Sequence, residues 1–226
     1  MTPDFGPIDP DLLERIRNTR GRQFIDRDFD EPDIPQSPAW WHTQNRAYAD
    51  TRIPRRYAHA TTDRADVHQW VLTALETPDT APSLLLAGPT GTGKTHTAYA
   101  ALRLYTESLR PANWHATSTA AMLGDLRPAP GRDTEAVLAE YRTAPLLLLD
   151  DLGAAKSSEW VEETLYRLID DRYNNCLPSI FATNVPTSDA LIERLGDRTA
   201  SRLVEMCHGH LITLRGADLR RARAAA

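Results

Sequence analysis

The sequence predicts an α/β fold, a parallel five-stranded sheet flanked by helices, and three observations lead to it. The apolar run Leu84-Leu85-Leu86-Ala87 stops at a glycine-rich loop, Gly88-Pro89-Thr90-Gly91-Thr92-Gly93-Lys94-Thr95, beyond which helical spacing begins. A second run, Leu146-Leu147-Leu148-Leu149, has no polar alternation, as expected of a central parallel strand buried on both faces. Three further short strand-like segments, at 114–117, 179–183 and 211–214, alternate with amphipathic helical stretches, the order that a parallel sheet with crossover helices requires.

Composition bounds the function. The 226 residues carry 26 basic and 31 acidic side chains, a net charge of −5, which argues against a uniformly basic nucleic-acid binder and leaves room for a local patch. No run of about eighteen apolar residues occurs. Residues 1–10 are acidic and proline-rich, without the basic start and apolar segment of a secretory signal. A soluble, cytoplasmic protein that does not enter a membrane is therefore expected. Cys176 and Cys207 are too few for a disulfide framework, and Cys207-His208-Gly209-His210 has no further ligand cluster in view. Residues 1–52 read as an N-terminal helical and linker region, a candidate for partner binding, and 53–226 as the main domain.

In chain order, Asp9-Pro10 is a cap followed by proline at the first helical position, with Leu12, Leu13 and Ile16 forming a short stripe. Acids and three prolines across 26–38 make an extended linker. Ser37-Pro38 repeats the cap-then-proline device and opens a helix carrying Trp40, Trp41, Ala47 and Tyr48, which Ile53-Pro54 ends. Its adjacent tryptophans either dock on the main domain or anchor a partner, and docking is the expectation. A helix over 63–76 places Val67, Trp70, Val71, Ala74 and Leu75 on one face, and Pro78 and Pro82 separate it from the first strand.

The glycine-rich loop has the pattern G-x-x-x-x-G-K-[ST] between a strand and a helix. Glycines let backbone N–H groups close around phosphate oxygens, and the following helix turns the positive end of its dipole toward the anion. The phosphate-binding set is Gly88, Pro89, Thr90, Gly91, Thr92, Gly93, Lys94, Thr95 and His96, the last within the first helical turn. Lys94 is expected to reach the β- and γ-phosphates, and the Thr95 hydroxyl to ligate magnesium. Against 24 arginines the chain has only two lysines, Lys94 and Lys156, so lysine at position 94 answers a need for a compact, mobile ammonium.

The helix after the loop runs to about residue 109, and Pro111 closes the connection to the strand at Trp114-His115-Ala116-Thr117. Short helices over 119–126 and 133–142 flank the turn Pro128-Ala129-Pro130-Gly131. The leucine strand then ends in Asp150-Asp151, at the strand edge where open α/β sheets bind ligands. Asp150 would hold magnesium, and Asp151 would orient or deprotonate an attacking water. A serine-capped helix over 158–174 leads through Pro178 to the fourth strand, which ends at Asn184. That amide either contacts the γ-phosphate or its water, or serves as a turn former. Helices over 187–195 and 197–206 follow, broken at Gly196, and the second carries Arg198 and Arg202 one turn apart. After the last strand, Arg220, Arg221 and Arg223 lie on a small terminal helix.

Taken together, Gly88-x4-Gly93-Lys94-Thr95, Leu146 to Gly153, Ala182-Thr183-Asn184 and Gly196-Asp197-Arg198-Thr199-Ala200-Ser201-Arg202-Leu203 resemble the ATPase domain of bacterial replicative helicase loaders of the DnaC/DnaI type. The transposition helper ATPase IstB is similar over the same region. With the lead-in Ile53-Pro54-Arg55-Arg56-Tyr57, the resemblance covers residues 53–226. It implies an AAA+ P-loop NTPase that binds ATP and Mg2+ at a junction between subunits, with the usual lid domain reduced to a short C-terminal helix.

By position, Asn184 matches the first sensor and Arg202 the arginine finger, with Arg198 the competing choice; either arginine could instead pair with Asp197 or Glu205. Arg220, or Arg221, would be a second sensor. The resemblance further implies an ATP-dependent helicase loader that self-associates, binds single-stranded DNA and grips a replicative hexameric helicase. The alternatives are a transposition helper working with a transposase, and a nucleotide-gated scaffold with little turnover. The helical insertion over 119–142, with Arg127, Arg132 and Arg142, would face the DNA. Many AAA+ proteins carry glutamate where Asp151 stands, and the shorter acid is expected to hold water differently.

Overall fold

The computed structural model describes residues 38–108, 113–156, 158–185, 187–216 and 218. The strands are β1 (Leu84–Ala87), β2 (His115–Ser118), β3 (Leu147–Leu152), β4 (Ser179–Thr183) and β5 (Leu211–Thr213). All neighbours pair in parallel, in the order β2-β3-β4-β1-β5. The helices are α1 (Pro38–Arg52), α2 (Ala65–Glu76), α3 (Lys94–Glu107), α4 (Thr119–Asp125), α5 (Thr134–Thr143), α6 (Glu159–Asn174), α7 (Ser188–Leu195) and α8 (Asp197–Met206).

Successive side chains of a strand point to opposite faces, and here both faces are covered. Leu84, Leu86, Leu146, Leu148, Ile180, Ala182 and Ile212 pack with α1, α2 and α3 in one core. Leu85, Leu147, Leu149 and Phe181 pack with α4 to α8 in the other. Two buried faces explain why the leucine runs lack polar alternation.

The expected face of α2 is buried in full: Val67, Trp70, Val71, Ala74 and Leu75. Trp70 stacks on Tyr105 at 5.5 Å between ring centroids and donates its indole N–H to the Pro82 carbonyl at 2.9 Å, so the large ring is buried with its polar atom paired. The N-caps Ser118, Asp133, Ser158 and Thr187 each accept from the backbone N–H three residues on.

Helix α1 differs from expectation. Trp40 is exposed, meeting Trp41 edge-on at 4.8 Å, and Ala47 is exposed as well. The stripe that docks on the core is Asn45, Tyr48 and Ala49, with half-buried Trp41 one turn before it, and Trp40 and Ala47 lie off it. Asn45 is buried and donates to the Thr106 carbonyl at 3.1 Å, while Arg103 of α3 reaches both Asp50 at 2.8 Å and the Ala58 carbonyl at 2.6 Å. The helix expected after Asp9-Pro10, the linker before Pro38 and the helix bearing Arg220, Arg221 and Arg223 lie outside the described residues. No helix among the described residues is long and apolar enough to cross a membrane.

Candidate active site

The strand order puts three tips side by side. β4 lies between β1 and β3, so the phosphate loop after β1, Asn184 after β4 and the acids of β3 share the C-terminal edge of the sheet.

The loop is closed around a single carbonyl. Thr92 Oγ1 and Lys94 Nζ both donate to the Pro89 oxygen, each at 2.8 Å, and the Gly88 N–H donates to the Thr183 carbonyl at 3.3 Å. Gly88 has φ of 149°, and a Cβ there would lie 2.2 Å from the Leu214 oxygen, so only glycine fits against the end of β5. Lys94 is 7% exposed, a buried cation beside an open helix N-terminus. The first turn of α3 contains no acid, leaving its N–H groups and dipole for an external anion. Pro89, Thr90 and His96 are exposed and Thr95 is half-buried.

Asp150 stands next to this loop. Burial pushes its carboxyl above the usual carboxylate range, the Thr95 hydroxyl's hydrogen bond draws it down, the Asp151 charge raises it, and the Asp151 N–H and Lys94 draw it down again. Thr95 and Asp150 are thus in hydrogen-bond contact, a hydroxyl and a carboxylate of the oxygen chemistry that suits magnesium. Asp151 is exposed and has φ of 53°, and its N–H donates to Asp150 Oδ1 at 2.9 Å. The strand does not end in the acids as expected: it continues through both of them to Leu152, with its register against β4 shifted between Leu149 and Leu152. The shift turns two consecutive acids to different surroundings, one half-buried by Thr95 and one in solvent. Asn184 is exposed immediately beyond β4.

The arginines of α8 are not gathered into this cluster. Arg202 Nε lies 2.5 Å from Asp170 Oδ1, and its guanidinium stands 5.0 Å from the Tyr166 ring centre and 5.7 Å from that of Tyr173, all on α6. Neither Asp197 nor Glu205 takes the pairing weighed for Arg202, and Glu205 instead accepts from the Tyr173 hydroxyl at 2.8 Å. Arg198 is exposed. Arg220 is outside the described residues.

Three residues at the site escape sequence reasoning. Asp218 lays its carboxylate against the loop, where a Cβ on Gly91 would meet its Oδ1 at 2.1 Å. Thr119 and Thr183 donate to the carbonyls of Asp150 and Leu152. Single polar residues at strand and helix ends carry no pattern of their own; only the Ala-Thr-Asn context of Thr183 drew the eye.

Residues 55–224 match the family described as IstB-like ATP binding protein. The chain belongs to this family. An ATP-binding protein from an insertion sequence of Mycobacterium tuberculosis (strain ATCC 25618 / H37Rv) is 32% identical to this IstB-like chain over 114 residues. That alignment takes in 50% of the chain and 45% of the relative, so the chain spans about half the length of the curated relative it matches. Among solved structures, the DnaC helicase loader superposes with a TM-score of 0.60 at 28% identity, covering 72% of this chain and all of that one (100%). DnaI superposes with a TM-score of 0.57 at 20% identity, over 75% of this chain and 95% of that chain, a likeness of fold. The five-stranded parallel sheet and flanking helices are those of an AAA+ P-loop NTPase, and the family is one of ATP-binding proteins.

Proposed function

We propose that this chain is an ATPase that loads a replicative hexameric helicase onto single-stranded DNA, with ATP binding and hydrolysis controlling assembly and release in the cytoplasm. The observation that carries the ATPase reading is the convergence of Lys94, Thr95, Asp150, Asp151 and Asn184 on one sheet edge. The loader reading is supported by the superposition on the whole DnaC chain.

The residues fit ATP with Mg2+. Backbone N–H groups of Gly91 to Lys94 and the N-terminus of α3 would cradle the phosphates. Lys94 would exchange the Pro89 carbonyl for phosphate oxygens, and Thr95 and Asp150 would hold the metal. A bound magnesium ion supplies charge neutralisation on the phosphate oxygens. Asp151 holds the attacking water and takes its proton, and Asn184 orients that water from the neighbouring strand. Arg202 or Arg198 completes the site of an adjacent subunit, which makes self-association part of the mechanism. The N-terminal region, 1–52, grips the helicase, and the insertion of α4 and α5 faces the DNA.

A second reading, a helper ATPase for a transposase, is favoured by the insertion-sequence relative. Capture with purified hexameric helicase and with transposase, each with and without ATP, decides between them. Helicase binding with turnover stimulated by single-stranded DNA is the expected result; transposase binding alone selects the helper. ATP-dependent capture without measurable turnover selects a nucleotide-gated scaffold.

A further inference from the structure

The acidic pair sits on a backbone irregularity, and both sides of that irregularity are held by buried threonines. Asp151 adopts the left-handed conformation, φ 53°, where β3 slips register against β4. A side chain with a Cβ disfavours this conformation, so the surroundings must hold it in place. The carbonyls of the residues just before and just after Asp151 each accept from a threonine hydroxyl. Thr119 Oγ1 donates to the Asp150 oxygen at 3.1 Å, and Thr183 Oγ1 donates to the Leu152 oxygen at 2.7 Å.

These hydroxyls arrive from opposite neighbours of β3. Thr119 opens α4 directly after β2, and Thr183 is the last residue of β4. They are 1% and 2% exposed, so water does not compete for the carbonyls. Thr183 Oγ1 also accepts from the Val185 N–H at 3.1 Å, and the residue between them is Asn184. One hydroxyl therefore fixes both the bulge carrying Asp151 and the turn carrying Asn184.

We propose that Thr119 and Thr183 are positioning residues for hydrolysis: together they hold the left-handed bulge that aims Asp151, and Thr183 also sets Asn184 beside it. The inference rests on the reading above, in which Asp151 and Asn184 act on the attacking water. Valine keeps the branched shape of threonine and removes the hydroxyl, whereas serine keeps the hydroxyl. Displacing a reacting group by about 1 Å can cost on the order of a hundredfold in rate. Thr183→Val and Thr119→Val should therefore lower kcat by roughly tenfold to a hundredfold. Affinity for a non-hydrolysable ATP analogue should stay within about threefold, because the groups that bind phosphate are untouched. Thr183→Ser and Thr119→Ser should recover most of the rate.

The test is steady-state turnover and analogue affinity on the full chain, with thermal unfolding recorded for each variant. Wild-type kcat in both valine variants overturns the inference. So does affinity that falls in step with kcat, or serine variants as slow as the valine ones. If Thr183→Val does not fold, Thr119→Val tests the other carbonyl and the serine pair tests the hydroxyl's role. Asp151→Asn separates the two levels. Full turnover in that variant overturns the role of Asp151 itself; an inactive Asp151→Asn beside fully active valine variants overturns only the positioning role.

Discussion

Strands β3 and β4 begin beside a buried cation and end beside two carboxylates, and the two ends are built differently. At the N-terminal end Arg172 of α6 is fully buried, yet its hydrogen bonds run to neutral acceptors: Ser179 Oγ at 2.7 Å, the carbonyls of Tyr141, Arg142 and Ala144 at 3.0, 3.2 and 2.8 Å, and that of Pro178 at 2.7 Å. Burial lowers its pKa to about 9, which still leaves it charged at neutral pH. Because it binds the segments leading into both strands, it locks their starting positions. The C-terminal end gathers charges of both signs. Lys94 donates to the Pro89 carbonyl, Asp150 is half-buried beside Thr95, and Asp151 faces solvent. An end whose cation is locked onto backbone carbonyls makes a scaffold, and an end that gathers several charges at the sheet edge makes a candidate site.

The largest expected effect lies at the scaffold end. Arg172→Met removes the guanidinium's donors from those five acceptors, most of them buried, so it should cost about 3–5 kcal/mol. Such a loss is a large part of the roughly 5–15 kcal/mol available to a domain, and urea unfolding would report it as a lowered midpoint or as failure to fold. Arg172→Lys should restore only part, since an ammonium cannot span both sets of carbonyls. A loss below about 1 kcal/mol would break the contrast between the two ends.

At the site end the effect should move from stability to binding. Lys94→Ala should lower ATP affinity by on the order of a hundredfold, about 2.7 kcal/mol, while the unfolding midpoint of the nucleotide-free protein changes little. Titration with a fluorescent ATP analogue measures it. Wild-type binding and turnover in this variant would remove the site assignment.

The same contrast explains what could be read from the chain. The phosphate loop, the leucine strand and the acids were legible because each is a local pattern whose spacing has a physical cause, and all five strands lie within a residue or a few of where apolar runs placed them. Arg172 was not legible, because an arginine late in an amphipathic helix reads as solvated until the strand starts close over it. Nor was the bulge: Leu149 to Leu152 has no glycine to mark a left-handed residue, and the threonines that hold it come from 32 and 31 positions away on other elements, by subtraction of residue numbers from Asp151 to Thr119 and from Leu152 to Thr183. Trp40 of α1 misled for a related reason. Size suggested burial, but helix phase decides it, and Trp40 falls outside the stripe.

A smaller effect should appear on changing pH. Because burial raises the pKa of Asp150, the nucleotide-free protein is relieved of a buried charge as pH falls through that value, so this group's contribution to stability improves on mild acidification. Metal binding requires the ionised form, so Mg2+-dependent ATP affinity should fall over the same interval, at higher pH than for an ordinary aspartate. Asp151→Asn removes a like charge and should move this acid limb to lower pH. An acid limb that does not respond to Asp151→Asn would show that another group controls it.

The smallest effect concerns the arginine held two residues before the scaffold cation. Asp170 pairs with Arg202 on the last turns of α6, near Arg172, and under the proposed mechanism Arg202 serves a neighbour's phosphates. The pair is partly exposed, with side chains at 29% and 23%, so Asp170→Asn should change stability by less than about 1 kcal/mol. Its sharper consequence is for assembly. If Arg202 must leave Asp170 to complete a neighbouring site, freeing it should lower the protein concentration that gives half-maximal turnover by roughly twofold to fivefold, the equivalent of up to about 1 kcal/mol. If Arg198 is the finger, the concentration dependence stays as in wild type, and Arg198→Ala alone removes the stimulation by assembly. Turnover measured across protein concentration therefore identifies which arginine crosses the interface, and whether α6 restrains it in the free subunit.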